Sequence, residues 1–505
     1  MTIAVADWIA HHAKSAPARH AMHDLHSGRR FTYGEMDVRV TRAALFLREG
    51  LKVGPGDRVA VLCHNDTDVF EIQFACRRLG AVFLPLNWRL AVPELEYICK
   101  DAAPSALLYG MEFVAEANQL IDACEFAATA TLNNGADSDY ERGLSITAGG
   151  METAPLALDD TWIILYTSGT TGRPKGALIS YRMAHFNAVD CQMTGDLTSS
   201  SKNLVILPTF HTGGLNVWAN PLFQVGGANA VMRSFDPDTL LRLLADKHLC
   251  ITHTLGVPTN FLMMAQAHRF AEADLSHVTC LCVGGAAAPE EMIKSYAAQG
   301  VRLRAMYGMT EIGPLGLALP PEVAMAKLGS SGLPTMHTHM RVSEADGSPT
   351  PVNQVGELMI KGPTVTSGYW NNPDATAAAF TGDGWFHTGD AARVDEDGFY
   401  YIVDRWKDMF ISGGENVYPV EVENVIYQIG GVLETAVVGV RDDTWGEVGR
   451  AYVVRRQGAN IDEQAIIDHC ISQLAKYKVP KQVRFIDELP HNATGKILKH
   501  QLPAD

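Results

Sequence analysis

Short apolar runs alternate with stretches of helical periodicity through most of the chain. Residues 58–62 (RVAVL) are almost continuously apolar and predict a buried strand. Residues 68–79 (DVFEIQFACRRL) follow with helical spacing, and 80–85 (GAVFLP) predict a second strand. The same strand–helix alternation recurs at 203–207, 251–254 and 278–283, each followed by helical periodicity. Strands without apolar/polar alternation are buried on both faces, so these predict parallel sheets flanked by helices. Between 355 and 399 the pattern changes to short strands broken by Gly and Asp turns (VGELMIKG, DEDGFYYIVD), which predicts a smaller antiparallel unit. A charged turn at 404–407 then precedes a compact mixture of helix and strand. The expected fold class is therefore α/β. A large multi-subdomain N-terminal region (1–404) of parallel sheets and helices carries the antiparallel unit, and a small α+β C-terminal domain (405–505) follows.

Composition narrows the function. The 505 residues are 47% apolar and only 19% charged, as expected of a well-cored globular protein. With 41 Lys plus Arg against 57 Asp plus Glu, the net charge is −16. That balance argues against nucleic acid, which requires a basic stripe, but leaves small anions open because they bind in locally built sites. No apolar run reaches the roughly 18 residues needed to span a bilayer, so no integral membrane association is expected. The start lacks a secretory pattern, and cytoplasmic localisation is the expectation. The nine cysteines contain no CxxC pair; Cys280 and Cys282 share one face of a predicted strand and read as inert core thiols. There is no HExxH, and His11, His12, His337 and His339 read as surface or loop histidines.

The most informative stretch is YTSGTTGRPKG at 166–176, directly after the apolar run Trp162, Ile163, Ile164, Leu165. The hydroxyls of Thr167, Ser168, Thr170 and Thr171 alternate with Gly169 and Gly172, and Lys175 adds a mobile positive charge. Glycines let backbone N–H groups converge on one concavity, and hydroxyls add donors for phosphate oxygens. The spacing does not fit GxxxxGK[ST], so this is not the loop of P-loop NTPases. A flexible surface linker of the same composition is disfavoured, because a buried strand feeds straight into it.

This string resembles the signature of the adenylate-forming superfamily, which contains acyl- and aryl-CoA synthetases, luciferases and peptide-synthetase adenylation domains. The resemblance covers nearly the whole chain through further segments in the family's order. They are LPTFHTGG (207–214), VGGAAAP (283–289), YGMTE (307–311), WFHTGD (385–390), DRWKDMFISGGENVYPVEVE (404–423) and NATGK (492–496). What it implies is a two-step ligase. A carboxylate is a poor acylating agent, so the acid first reacts with ATP to give acyl-AMP and pyrophosphate. CoA then displaces AMP to give the thioester. Such chemistry asks mainly for positioning and charge stabilisation.

By resemblance, Thr167, Ser168, Gly169, Thr170, Thr171, Gly172 and Lys175 hold the β- and γ-phosphates. Glu311, with Thr167, is implied for Mg²⁺, and Thr310 for the α-phosphate. Tyr307 would lie near adenine, with Gly285, Ala286 and Ala287 giving close backbone approach. Asp390 and Arg405 match the ribose contacts. Lys496 is implied to bridge the attacking carboxylate and the α-phosphate. Because Lys496 and the loop of Gly413 and Gly414 cannot both face the nucleotide at once, the resemblance implies a rotating C-terminal domain. Its hinge would be Lys407. After rotation Gly413, Gly414 and Trp445 would line the pantetheine tunnel. Lys476, Lys478 and Lys481 are candidates for the CoA phosphates, and equally read as a solvated basic stretch.

His211 matches the gate between acyl pocket and CoA tunnel. Gly213, Gly214, Gly284, Met306, Gly308 and Met309 join it in a mostly apolar pocket with glycine-made space. FLPLNWRLAVPELEY (83–97) and ISGGENVYPVEVE (411–423) look most like the feruloyl-CoA and fatty-acyl-CoA synthetase types. A hydroxycinnamate or related aryl acid is the favoured substrate, with a medium- or long-chain fatty acid as the alternative. A carrier-protein adenylation enzyme is a third reading. The expected ligands are thus a small carboxylic acid, ATP, Mg²⁺ and CoA, drawn into a locally positive cleft on an acidic surface. A homodimer is common among such enzymes, and no residue of the sequence decides it.

Overall fold

A computed structural model describes residues 5–132, 137–147, 149–167, 173–344, 347–405, 408–412, 415–442, 444–492 and 495–503, with Arg405 as backbone only. Two parallel-dominated sheets form the body, and the α/β class expected from the apolar runs is found. The nine-stranded sheet has at its centre six parallel strands in the order Leu303–Gly308, Cys280–Val283, His253–Gly256, Lys202–Val205, Ala228–Val231 and His20–Asp24. The six-stranded sheet runs Ala128–Leu132, Ala106–Gly110, Arg58–Leu62, Val82–Pro85, Thr161–Thr167 and Lys175–Ser180, with only the last strand antiparallel.

The helices show why these sequences fold so. Thr67–Leu79 is capped by Asp66, whose side chain accepts from the Asp68 N–H, and it ends at Gly80 with φ of 72°. Pro237–Ala245 begins with Asp236 accepting from the Thr239 N–H and Pro237 in the first turn. It buries Leu240, Leu241, Leu243 and Leu244 on one stripe, each contributing about 1.5–3 kcal/mol. Leu244→Ala would leave a cavity in that stripe. Arg29 joins the two sheets: it donates to Asp66 and Asp68, both at 2.7 Å, and to Glu141 at 3.0 Å.

The antiparallel unit is larger than its sequence pattern suggests. Its four strands are His339–Ser343, Gly356–Lys361, Phe386–Val394 and Tyr400–Arg405. The first was missed because its residues pass from exposed through half-exposed to buried with no alternation. Beyond it, Phe410–Ser412, Glu415–Val417, Val432–Asp442, Gly446–Arg455 and Gln482–Phe485 make a five-stranded mixed sheet. The helices Pro419–Tyr427 and Glu463–Gln473 share its core.

One expectation for histidine needs correction, whereas His337 lies in a turn as a loop histidine should. His12 is buried, not superficial, because the helix Trp8–Ser15 turns Trp8, Ile9 and His12 inward. Its Nε2 lies 2.9 Å from the Gln224 carbonyl. His337 is half-buried and its Nδ1 lies 2.7 Å from a buried Asp190 oxygen. Cys280 and Cys282 are buried, as expected of core thiols. Among the described residues no helix is long and apolar enough to cross a membrane.

Candidate active site

In the nine-stranded sheet, chain order reverses at Lys202–Val205. The next strand, Ala228–Val231, pairs on one side of it, and the following strand, His253–Gly256, pairs on the other. A crevice opens where such neighbouring connections diverge, at the carboxyl ends of the strands. The segments leaving those ends carry His211, Val257, Gly284, Gly285, Thr310 and Glu311.

The predicted phosphate loop joins two strands that pair with each other. Thr161–Thr167 and Lys175–Ser180 pair antiparallel, with Thr167 opposite Lys175 at the mouth. Ser168, Gly169, Thr170, Thr171 and Gly172 lie outside the described residues. The Lys175 ammonium stands 5.3 Å from the centre of the Tyr369 ring, and the Tyr369 hydroxyl donates to Glu311 Oε1 at 3.1 Å. Lys175 and Glu311 are thus brought to one aromatic side chain. Tyr369 is held there by its chain neighbours: the Trp370 N–H donates to the Gly176 carbonyl at 2.8 Å. The Trp370 indole N–H donates to the Asp101 carbonyl at 3.1 Å. Glu311 is buried in the short helical turn Thr310–Ile312, and its carbonyl accepts from the Thr366 N–H at 2.8 Å.

A second cluster sits on the antiparallel sheet. Asp390 is buried and faces Arg405 in register across adjacent strands. The Tyr307 hydroxyl donates to Asp390 Oδ2 at 2.7 Å. The Asp390 N–H donates to Thr388 Oγ1, whose own hydroxyl donates to the Leu358 carbonyl. Beside this cluster, Gly285, Ala286 and Ala287 form an exposed ledge after the strand Cys280–Val283. Gly285 adopts φ of 80°, which admits little else.

At the other end of the crevice His211 caps the helix Thr212–Asn216. Its Nδ1 accepts from the Gly213 N–H at 3.1 Å, which places the proton of the neutral ring on Nε2. Burial chiefly, and the nearby Lys496 charge secondarily, push its pKa down to about 4. The surrounding glycines differ in kind. A Cβ on Gly213 would meet only side-chain atoms, none closer than 3.1 Å. On Gly284 it would stand 3.1 Å from the Met306 carbonyl oxygen. On Gly308 and Gly214 it would collide with the carbonyl oxygens of Pro314 at 1.7 Å and Pro208 at 2.3 Å. Those two glycines have a packing reason of their own. Met306 is buried and Met309 half-buried.

Lys496 comes from the far end of the chain. Its turn is closed by the Asn492 N–H donating to the Lys496 carbonyl at 2.7 Å and the Lys496 N–H donating to Asn492 Oδ1 at 2.8 Å. Gly495, at φ of 81°, presses against Val257, where an added Cβ would lie 2.8 Å from Cγ2. Trp445 is 47% exposed, on the turn beside Ser412. Lys478 is paired with Glu421 at 2.7 Å, whereas Lys476 and Lys481 are exposed. Gly413, Gly414 and Lys407 lie outside the described residues, as does the Arg405 side chain. Tyr369 is the site residue that sequence reasoning missed. The available signal was an aromatic residue in the glycine-containing segment Ser367, Gly368, Tyr369, Trp370.

Comparisons with known proteins show the family and the fold. The family model described as AMP-binding enzyme matches residues 9–370, and the AMP-binding enzyme C-terminal domain matches 421–496. A feruloyl-CoA synthase of Amycolatopsis sp is 40% identical over 98% of this chain and 97% of its own length. The long-chain-fatty-acid–CoA ligase FadD13 of Mycobacterium tuberculosis is 39% identical over 93% of this chain and 92% of its own. The crystal structure of ATP-bound MatB from Rhodopseudomonas palustris superposes with a TM-score of 0.91 at 31% identity, covering 99% of this chain and 98% of that one.

Proposed function

This chain belongs to the AMP-binding enzyme family, and on that premise we propose that it is an AMP-forming ligase joining an aryl carboxylic acid to CoA. The observation that carries the reading is the approach of Lys496, from the C-terminal turn, to His211 in the crevice that also holds Glu311 and Asp390. In the first step an acid oxygen attacks the α-phosphorus of ATP and pyrophosphate leaves. Lys496 offsets the charge shared by carboxylate and α-phosphate, Thr310 adds a donor, and Lys175 with residues 167–172 holds the departing phosphates. Asp390 and Arg405 orient the ribose, while Tyr307 and the ledge 285–287 receive the adenosine. Mg²⁺ suits Glu311 and Thr167, since a hard cation bridging phosphates needs few protein oxygens. Bound there, it would neutralise charge on the phosphates. His211 stays neutral and so offers the acid an N–H donor without fixing it as an ion pair.

In the second step the CoA sulfur attacks the acyl carbon and AMP leaves. The division 1–404 and 405–505, with Lys407 as hinge, lets the second unit withdraw Lys496 and present Gly413, Gly414 and Trp445 to pantetheine. Lys476 and Lys481, exposed and basic, suit the CoA phosphates. The favoured acid is a hydroxycinnamate such as ferulate, supported by an apolar, glycine-walled pocket and by the 40% identity to a feruloyl-CoA synthase. A fatty acid is the second reading, favoured by the 39% identity to FadD13.

Two measurements test this. Lys496→Ala is expected to abolish acyl-AMP formation while sparing thioester formation from supplied acyl-AMP, and equal loss of both would contradict the role. With ferulate, benzoate, octanoate and palmitate compared, ferulate should show the highest kcat/KM. A lead by octanoate or palmitate would replace the aryl reading by the aliphatic one.

A further inference from the structure

The turn that carries Lys496 is seated on the start of one helix by a joint of three side chains. Glu434, on the strand Val432–Asp442, is buried. Its Oε1 accepts from the Thr259 hydroxyl at 3.0 Å and lies 3.2 Å from His491 Nε2. Thr259 belongs to the helix Pro258–Met264, whose first turn is pinned by the Val257 N–H donating to Asn260 Oδ1 at 2.9 Å. His491 pairs with Ile497 in an isolated bridge, so these two residues flank the Lys496 turn. Val257 lies under Gly495 and also beside Gly285 of the ledge, 3.5 Å from the position of its absent Cβ. One helix start therefore supports both the lysine turn and the proposed adenosine ledge.

We propose that Thr259 and Glu434 are positioning residues, a latch that seats the Lys496 turn for acyl-AMP formation and parts for the thioester step. The latch divides at a single bond, Thr259 Oγ1 to Glu434. Glu434 and His491 both lie on the C-terminal side of that bond and move together. The separating carboxylate keeps His491 Nε2 as a partner at 3.2 Å, which avoids the cost of a buried, unpaired charge. The hydrogen bond and charge of Glu434, with lesser help from the Leu489 carbonyl and Glu488, raise the His491 pKa against a desolvation effect that lowers it. The shift favours the charged form of His491 beside its carboxylate partner. A hydroxyl is well suited to the other half of the joint: it releases into water without leaving a charge behind.

The inference rests on the role given to Lys496, so the experiment carries both variants. Thr259→Val keeps the side-chain volume and removes the donor. Acyl-AMP formation, read as pyrophosphate release, should fall about tenfold, the worth of one hydrogen bond to a charged group. Thioester formation from supplied acyl-AMP should stay at or above the parent rate, and Thr259→Ser should restore the first step. Equal slowing of both steps, or an unchanged first step, would overturn the latch. If Lys496→Ala retains acyl-AMP formation, the lysine's role falls and the latch falls with it. Thermal unfolding of Thr259→Val at the parent temperature would show that the fold is intact.

Discussion

The two ends of the crevice are built on different physical terms. At the nucleotide end polar contacts tie side chains to one another: Lys175 to the Tyr369 ring, Tyr369 to Glu311, Tyr307 to Asp390. Glu311 and Asp390 are buried and positioned before any ligand arrives. At the proposed acyl end the candidate walls are Gly213, Gly284, Met306 and Met309, with His211 the only polar side chain among the candidates named there. Preorganised polar groups are strongest where charge develops and water is excluded. Apolar walls exert shape selection, and one methylene there changes selectivity by only about 1–3 kcal/mol. On the proposed reading the preorganised groups of the first end, joined by Lys496 from the C-terminal turn, set the reaction, whereas the apolar walls of the second select the acid.

The sharpest way to break that comparison is at Glu311. Glu311→Gln keeps the size and the acceptor for Tyr369 but removes the charge. Pyrophosphate release should fall by roughly 10²–10³-fold, the usual range for losing a preorganised electrostatic group, and by the same factor for every acid tried. Parallel rate measurements on ferulate and octanoate check it. A loss that depended strongly on the acid would mean that the two ends are not separable.

The same contrast explains what could be read from the chain itself. The nucleotide-end residues lie in short contiguous segments, Glu311 in the turn after one strand and Asp390 within another, so each arrives with a recognisable local pattern, as Tyr307 to Glu311 and Trp385 to Asp390 did. The apolar runs likewise placed the strand Arg58–Leu62 at its observed bounds. Tyr369 was hidden because its meaning depends on a loop folding back over the hairpin at Gly176, a contact no local pattern encodes. Thr259 and Glu434 stand 175 residues apart and meet only through tertiary structure. His12 was misplaced because one inward turn of an eight-residue helix leaves too short a period to read. The proposed acyl pocket was least legible, since single residues from a helix start, a loop and a strand would make it and shape is their shared property.

The glycines sharpen the comparison on the acyl side. Gly308→Ala places a methyl 1.7 Å from the Pro314 carbonyl oxygen, and backbone must move to admit it. Overpacking of this kind costs about 1–3 kcal/mol or more, so the midpoint of thermal unfolding should drop by several degrees whatever the acid. Gly213→Ala meets only the ends of Leu207, His211 and Leu255 side chains, at 3.1 Å or beyond. That variant should keep its unfolding temperature and change the ratio of kcat/KM between bulky and slender acids by a few-fold. If Gly308→Ala behaved as Gly213→Ala does, glycine-made space would describe both positions.

The smallest effect concerns the one polar group at the acyl end. His211 has its pKa pushed down to about 4, chiefly by burial, below the ordinary value near 6.5. A depressed histidine contributes stability that is present above the unfolded pKa and is lost as pH falls through the folded one. Between about pH 6.5 and 4 the protein therefore takes up a proton on unfolding at this position. His211→Phe, which cannot titrate, should make the decline in stability over that window shallower. His253, also pushed down to about 4 by burial, leaves part of the slope in place. Above pH 6.5 His211 is neutral in both states, so its replacement should change the height of the activity profile but not its shape. An inflection near pH 6.5 that disappears in His211→Phe would show instead that the imidazole titrates during turnover. The acyl end would then carry a charge that the apolar description denies it.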